Sequence, residues 1–167
     1  MENPSTFFAF SNRKEGIVPA VHTSVGVSIA FEMTDADFAS NEGILWVNAL
    51  WDTGAMSSCI SKRCAALLRL EIINITHMAT ASHVVEAPVY MAHIFLPNFP
   101  VFAYQEILEF QDTSDNCDII IGMDIITQGD FAITNLGGNT FFSFRMPSIQ
   151  TIDFEGDLRR MLEEKVG

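Results

Sequence analysis

Ile44-Leu45-Trp46-Val47-Asn48-Ala49-Leu50-Trp51-Asp52-Thr53-Gly54-Ala55 is an apolar run that ends on one carboxylate. The run reads as a strand, and a strand end holds its last side chain rigidly. Gly54, two residues on, lets the backbone turn and leaves room for a ligand where a side chain would stand. Ala55 keeps the next position small. Together these residues present a single acid, Asp52, on a tight turn, and the chain has only one such site.

Working outward, Thr23–Glu32 alternates Val25, Val27, Ile29 and Phe31 with smaller or polar residues, the period of a half-buried strand. Residues 33–42 are polar enough for a loop, so Thr23–Glu32 and Gly43–Trp51 form an antiparallel hairpin ending at Asp52. After the turn, Ser61 is the N-cap of a short helix over Lys62–Leu70, with Ile60, Cys64, Leu67 and Leu68 facing inward. Residues 72–96 read as strands with a break at Thr80-Ala81-Ser82-His83, and Val89–Leu96 is the clearest arm. Asp118–Ile121 is a short strand stopped by Gly122, and Met123–Gln128 forms one or two helical turns ended by Gly129. Phe131–Asn135, a Leu-Gly-Gly-Asn turn and Thr140–Arg145 make a hairpin. Phe154, Leu158, Met161 and Leu162 fall at helical spacing in a charged segment, giving a short surface-docked helix. Phe7-Phe8-Ala9-Phe10 echoes Phe141-Phe142-Ser143-Phe144, either by coincidence or because both are edge strands of an intersubunit sheet.

With 167 residues, 49% of them hydrophobic, and a mean hydropathy of +0.24, the chain has the material for one well-formed core. Nine Lys and Arg against 21 Asp and Glu give a net charge of −12, which disfavours nucleic acid as a partner. That charge serves solubility or attracts basic substrate segments. Cys59, Cys64 and Cys117 are an odd set without CxxC spacing, which suits a reducing, cytoplasmic setting better than a disulfide framework. Neither a secretory signal nor a membrane-length apolar run is evident. His22, His77, His83 and His93 lack metal-site spacing, so neither metal nor cofactor is expected.

The chain resembles the retropepsin-like aspartic proteases, a family of retroviral proteases, eukaryotic relatives and bacterial members, and is read as bacterial-type. The resemblance rests on Ala49–Ala55 and on Ile119-Ile120-Ile121-Gly122-Met123-Asp124-Ile125-Ile126. It continues through Gly129–Asn135 and Phe142-Ser143-Phe144-Arg145. It implies a mainly β fold: a closed antiparallel barrel of the acid-protease type with one or two short helices, over residues 20–147. Residues 1–19 are then an N-terminal extension and a candidate dimer strand, and residues 148–167 are a C-terminal extension containing a short helix. In that template Asp52 is catalytic and the Thr53 hydroxyls cross-link two active-site loops. Gly54 offers its carbonyl to substrate backbone, and Ala55 lines the adjoining subsite. Ile120 and Ile121 take apolar subsite or core positions, and Gly122 lies beneath the loop where no side chain would fit. A flap over His77–Tyr90 carries Thr80, Ala81 and Ser82 as substrate-binding residues at its tip. The chain departs from the family in having no Gly between Gly54 and Gly122.

One acid is half a catalytic pair. Peptide hydrolysis by this route needs a base to activate water and an acid to protonate the carbonyl or departing amine. Two adjacent carboxyls sharing a proton do both, the established behaviour of aspartic-protease dyads. Within the chain Asp112-Thr113-Ser114 lacks the Gly, and Asp124 is explained by the start of a helix. The expectation is therefore a homodimeric aspartic endopeptidase with two Asp52 carboxylates, acting on a peptide or protein substrate. The competing expectation is a catalytically weak or inactive dimer that keeps the fold as a peptide-binding module.

Overall fold

Strand alternation places the first hairpin. A computed structural model of the chain describes residues 7–32, 43–79, 84–98, 101–111 and 117–165. In it, β2 (Val21–Ile29) and β3 (Leu45–Trp51) pair antiparallel, from Val21 opposite Trp51 to Val27 opposite Leu45. Val25 and Val27 are buried as their period requires, but Ile29 is exposed. The strand changes partner there: β2 leaves β3 after Val27 and pairs over Gly26–Ile29 with β6 (Val84–Phe95).

That β2–β6 ladder closes a ring. Going round it, β3 is followed by β8 (Ile119–Ile121), β4 (Cys59–Ser61), β7 (Val101–Phe110) and β6, which returns to β2. The six-stranded barrel is mostly antiparallel, with two short parallel ladders, β3–β8 and β4–β7. β5 (Ile72–Ala79) stands outside the ring and, among the described residues, pairs only with β6. The first residues of β6, Val84–Pro88, pair with β5 alone; β7 joins from Val89 onward. A two-stranded ribbon therefore projects beyond the barrel, and Pro88, which cannot donate to a ladder, is the last residue before the barrel begins.

A second sheet has the order β1 (Phe8–Lys14), β10 (Thr140–Met146), β9 (Asp130–Thr134). The two Phe-rich segments pair with each other inside the chain, Phe10 opposite Phe144, and β10 is the central strand. This corrects the reading of both as edge strands. Trp51 joins the sheet to the barrel. Its indole N–H donates to Thr23 Oγ1 at 2.9 Å, and its ring lies 5.1 to 5.9 Å from those of Phe10, Phe131, Phe142 and Phe144. Each such ring, once buried, contributes about 1.5–3 kcal/mol.

Helix α1 (Lys62–Leu68) begins where Ser61 Oγ accepts from the Cys64 N–H at 3.0 Å. Its inward side is Cys64 and Ala65, with Leu68 packed against the core; Leu67, expected inside, is 65% exposed, and Arg69 turns left-handed to end the helix. Buried Asp118 anchors this corner, bound by Arg63 at 2.7 and 2.9 Å and by Ser61 at 3.0 Å. Helix α2 (Met123–Ile126) is a single turn after β8. Helix α3 (Phe154–Glu163) forms, but Phe154, Leu158, Met161 and Leu162 are all exposed, so its apolar side is not buried against the described residues. It is held locally, by Asp153 accepting from the Gly156 N–H and by the pairs Arg159–Glu155 and Arg160–Asp157. Among the described residues no helix is long and apolar enough to cross a membrane.

Candidate active site

Asp52 follows the last residue of β3, and its N–H donates to the Ile121 carbonyl at 3.0 Å, so β8 fixes its backbone. The turn is closed by the Ala55 N–H on the Asp52 carbonyl at 3.2 Å. Gly54 N–H donates to Asp52 Oδ1 at 2.8 Å, orienting the carboxylate. The other oxygen, Oδ2, carries no hydrogen bond to any described residue, and the side chain is half-buried. Thr53 and Gly54 are exposed beside it.

The loop after Asp52 arches over the end of β8, because β8 lies between β3 and β4, the strands that enter and leave the loop. Backbone bonds lace the two together: Met123 N–H to the Ala55 carbonyl at 2.8 Å and Asp124 N–H to the Met56 carbonyl at 3.2 Å. Gly122 sits under the arch. A Cβ there would lie 2.6 Å from Ser57 C, 2.8 Å from Ser57 O and 3.0 Å from Ala55 O, so only glycine fits. Its φ of −93° is ordinary; space, not conformation, demands the residue.

Asp124 does more than favour a helix start. Its carboxylate accepts from Ser58 N–H at 2.9 Å, Ser58 Oγ–H at 2.8 Å and Gln105 Nε2 at 3.1 Å, while Ser58 Oγ accepts from the Gly122 N–H at 3.1 Å. Hydrogen bonds to a charged acceptor contribute about 1.5–3 kcal/mol each. Asp124 is therefore a positioning residue that ties down the far end of the Asp52 loop through fully buried Ser58. The tie between these two residues was not read from the sequence. The usable signal was an Asp two residues after a glycine that closes an apolar triplet, together with a serine shortly after the acid-bearing turn.

Two cavities flank the loop. One, of about 390 Å³, lies between the loop and the projecting ribbon, with Gly54, Ala55, Met56 and Cys59 on one wall and Thr76, Met78, Val89 and Leu108 on the other. The second, of about 440 Å³, holds Asp52 and Thr53 against Val21, Leu50, Phe131 and Ile133. The four residues Asp52–Ala55 thus form the partition between two hollows. Cys59 contributes a neutral wall: burial first, then the nearby Asp124 and Asp52 charges, push its thiol up to about 11. Ile121 is enclosed in the core and lines neither cavity. Ile120, half-buried between Leu50 and Cys59 in the sheet, lines neither cavity. The expected flap tip, Thr80, Ala81, Ser82 and His83, lies outside the described residues, as does Asp112-Thr113-Ser114.

No protein-family model matches the chain, and no curated protein matches it. Among solved structures it is similar to a retropepsin-like aspartic protease from Rickettsia conorii. The identity is 12% over 87% of this chain and 98% of that one, with a TM-score of 0.48. It is also similar to the retroviral protease-like domain of Ddi1 from Leishmania major. There the identity is 19% over 71% of this chain and 91% of that one, with a TM-score of 0.39.

Proposed function

We propose that this retropepsin-like chain is one half of a homodimeric aspartic endopeptidase, in which the Asp52 carboxylates of two copies share a proton and activate water. The observation that carries the reading is the state of Asp52: one oxygen held by Gly54 N–H, the other unengaged, on a loop braced from beneath. Asp124, the acid tied into the same loop, spends its oxygens on Ser58 and Gln105. A twin chain is the natural source of the second carboxylate, in an isologous pairing of like surfaces. Exposed Thr53 would face its counterpart there. The N-terminal segment already pairs with β10, so an intersubunit sheet would grow from the outer edge of β1 or β9. An extended peptide would enter the cleft as an added strand between loop and ribbon.

Sedimentation and cleavage of a peptide library between pH 3 and 8 test this together. The wild type should be dimeric, cleave best at mildly acidic pH where the pair keeps one proton, and be blocked by a statine-type inhibitor. Asp52→Asn should remain dimeric and lose cleavage on the order of 10⁴-fold. A fully active monomer, or a rate still climbing above pH 8, contradicts the mechanism. The glycine-free stretch from Ala55 to Ile121 favours the second reading, a peptide-binding dimer; tight binding without cleavage at any pH would select it.

A further inference from the structure

The cleft between the Asp52 loop and the ribbon has an apolar strip made by Met56, Cys59, Met78, Val89 and Leu108, bordered by Ser57, Asn74, Thr76 and His77, and Glu106 stands among these residues. Register fixes where Glu106 points. Leu108 lies opposite Val89 and Glu106 opposite Met91, so residues 106 and 108 project from the same face of β7. Leu108 is a cleft residue; so, therefore, is Glu106. It is exposed, and its carboxylate makes no ion pair or hydrogen bond with any described residue. The other titratable side chains at this wall are Cys59, whose thiol burial pushes up to about 11, and His77, which alternates with Thr76 and Met78 and lies opposite Glu86 on the ribbon. Glu106 is thus the one formal negative charge among the residues lining this cavity.

An unpaired carboxylate on an apolar wall suits a guest with an apolar stem and a cationic head. Such side chains lay their methylenes on apolar surface and keep the charge at its end. An acidic guest meets like-charge repulsion, and the net charge of −12 adds a long-range field of the same sense. We propose that Glu106 sets the specificity of the cleft beside Gly54 and Ala55, selecting a substrate residue of the lysine or arginine type. The proposal rests on the reading that this cleft receives the substrate, but not on its being cut.

Binding is therefore measured in full-length Asp52→Asn, by fluorescence anisotropy. The probes are fluorescein-labelled octapeptides differing only at one central residue: Lys, Arg, norleucine or Glu. The Lys and Arg peptides should bind about three- to fivefold more tightly than norleucine at low salt, and less so at 0.5 M NaCl, with Glu weakest. Adding Glu106→Gln should bring Lys to within about twofold of norleucine, and Glu106→Lys should reverse the order. A preference for Lys that survives Glu106→Gln, no preference at all, or no binding overturns the proposal. Wild-type protein assayed on the same peptides separates the two claims. Glu106-dependent binding without any cleavage sinks the hydrolytic reading alone; cleavage with a Glu106-independent preference sinks this one alone.

Discussion

Replacing Gly122 by alanine puts a methyl group into the bracing beneath the Asp52 loop. The new carbon would sit 2.6 and 2.8 Å from the Ser57 carbonyl group and 3.0 Å from the Ala55 oxygen, all backbone atoms. Ordinary contact needs about 3.5 Å or more, so the loop must rise by something near 1 Å. Overpacking of this kind costs about 1–3 kcal/mol. The Gly122 N–H bond to Ser58 and the Met123 N–H bond to Ala55 cross the same gap and would stretch, adding about 1 kcal/mol. A total of about 2–4 kcal/mol corresponds to a fall in melting temperature of about 4–16 °C for a domain of this size. Activity should fall further, on the order of a hundredfold, because Asp52 rides on the displaced loop. Gly54→Ala is the control: its Cβ meets only Asp52 Oδ1, at 3.1 Å, so it should disturb the carboxylate while leaving the melt within about 2 °C. Circular dichroism melts beside peptide cleavage read both effects. A Gly122→Ala protein that melts and cleaves like wild type would refute the bracing.

Two other outcomes follow from ionisation. Asp130 accepts from Ser148 Oγ–H, Ile149 N–H and Arg145, and these partners hold its carboxyl down at about 2. Its folded value lies below the unfolded value of about 4, so its stabilising effect is present above that pH and is lost as pH falls towards 2. Asp130→Asn should therefore flatten the stability profile between about pH 4 and 2 in urea titrations; an unchanged slope would contradict the assignment. Burial, reinforced by nearby carboxylates, lifts the Cys59 thiol to about 11 and that of Cys64 to about 12, and Cys117 is buried too. Ellman's reagent at pH 8 should find all three slow in the native protein and fast in denaturant; rapid native labelling would show that the walls around Cys59 open.

The strands that could be read from the sequence were those whose pattern and boundaries are both local. β2 and β3 alternate and end at punctuation, and the β9–β10 hairpin carries a Leu-Gly-Gly-Asn turn, so period and turn chemistry sufficed. β4 and β7 escaped notice, and β1 was weighed only as a strand between subunits, for different reasons. β4 is only Cys59–Ser61, too short for any period, and exists because β7 and β8 flank it. β7 carries Gln105, Glu106 and Glu109 within Val101–Phe110, and Glu109 is acceptable inside only because Tyr90 donates to it at 2.5 Å. β1 is specified by its partner β10, not by its own flanks. At the site, Asp52 and Gly122 stood out as residue types. The Asp124–Ser58 tie did not, since 66 residues separate its ends and nothing in either neighbourhood announces the other.

β6 belongs to two structures at once. From Val89 onward it is a stave of the closed ring; before that it is one arm of a ribbon held by β5 alone. Swinging that arm about Pro88 therefore breaks no hydrogen bond of the ring. A displacement of that arm relative to the Asp52 loop would be a local transition, costing far less than global unfolding. A single continuous strand is shared by frame and ribbon, so the ribbon arm could shift while the part that holds the Asp52 loop stays still.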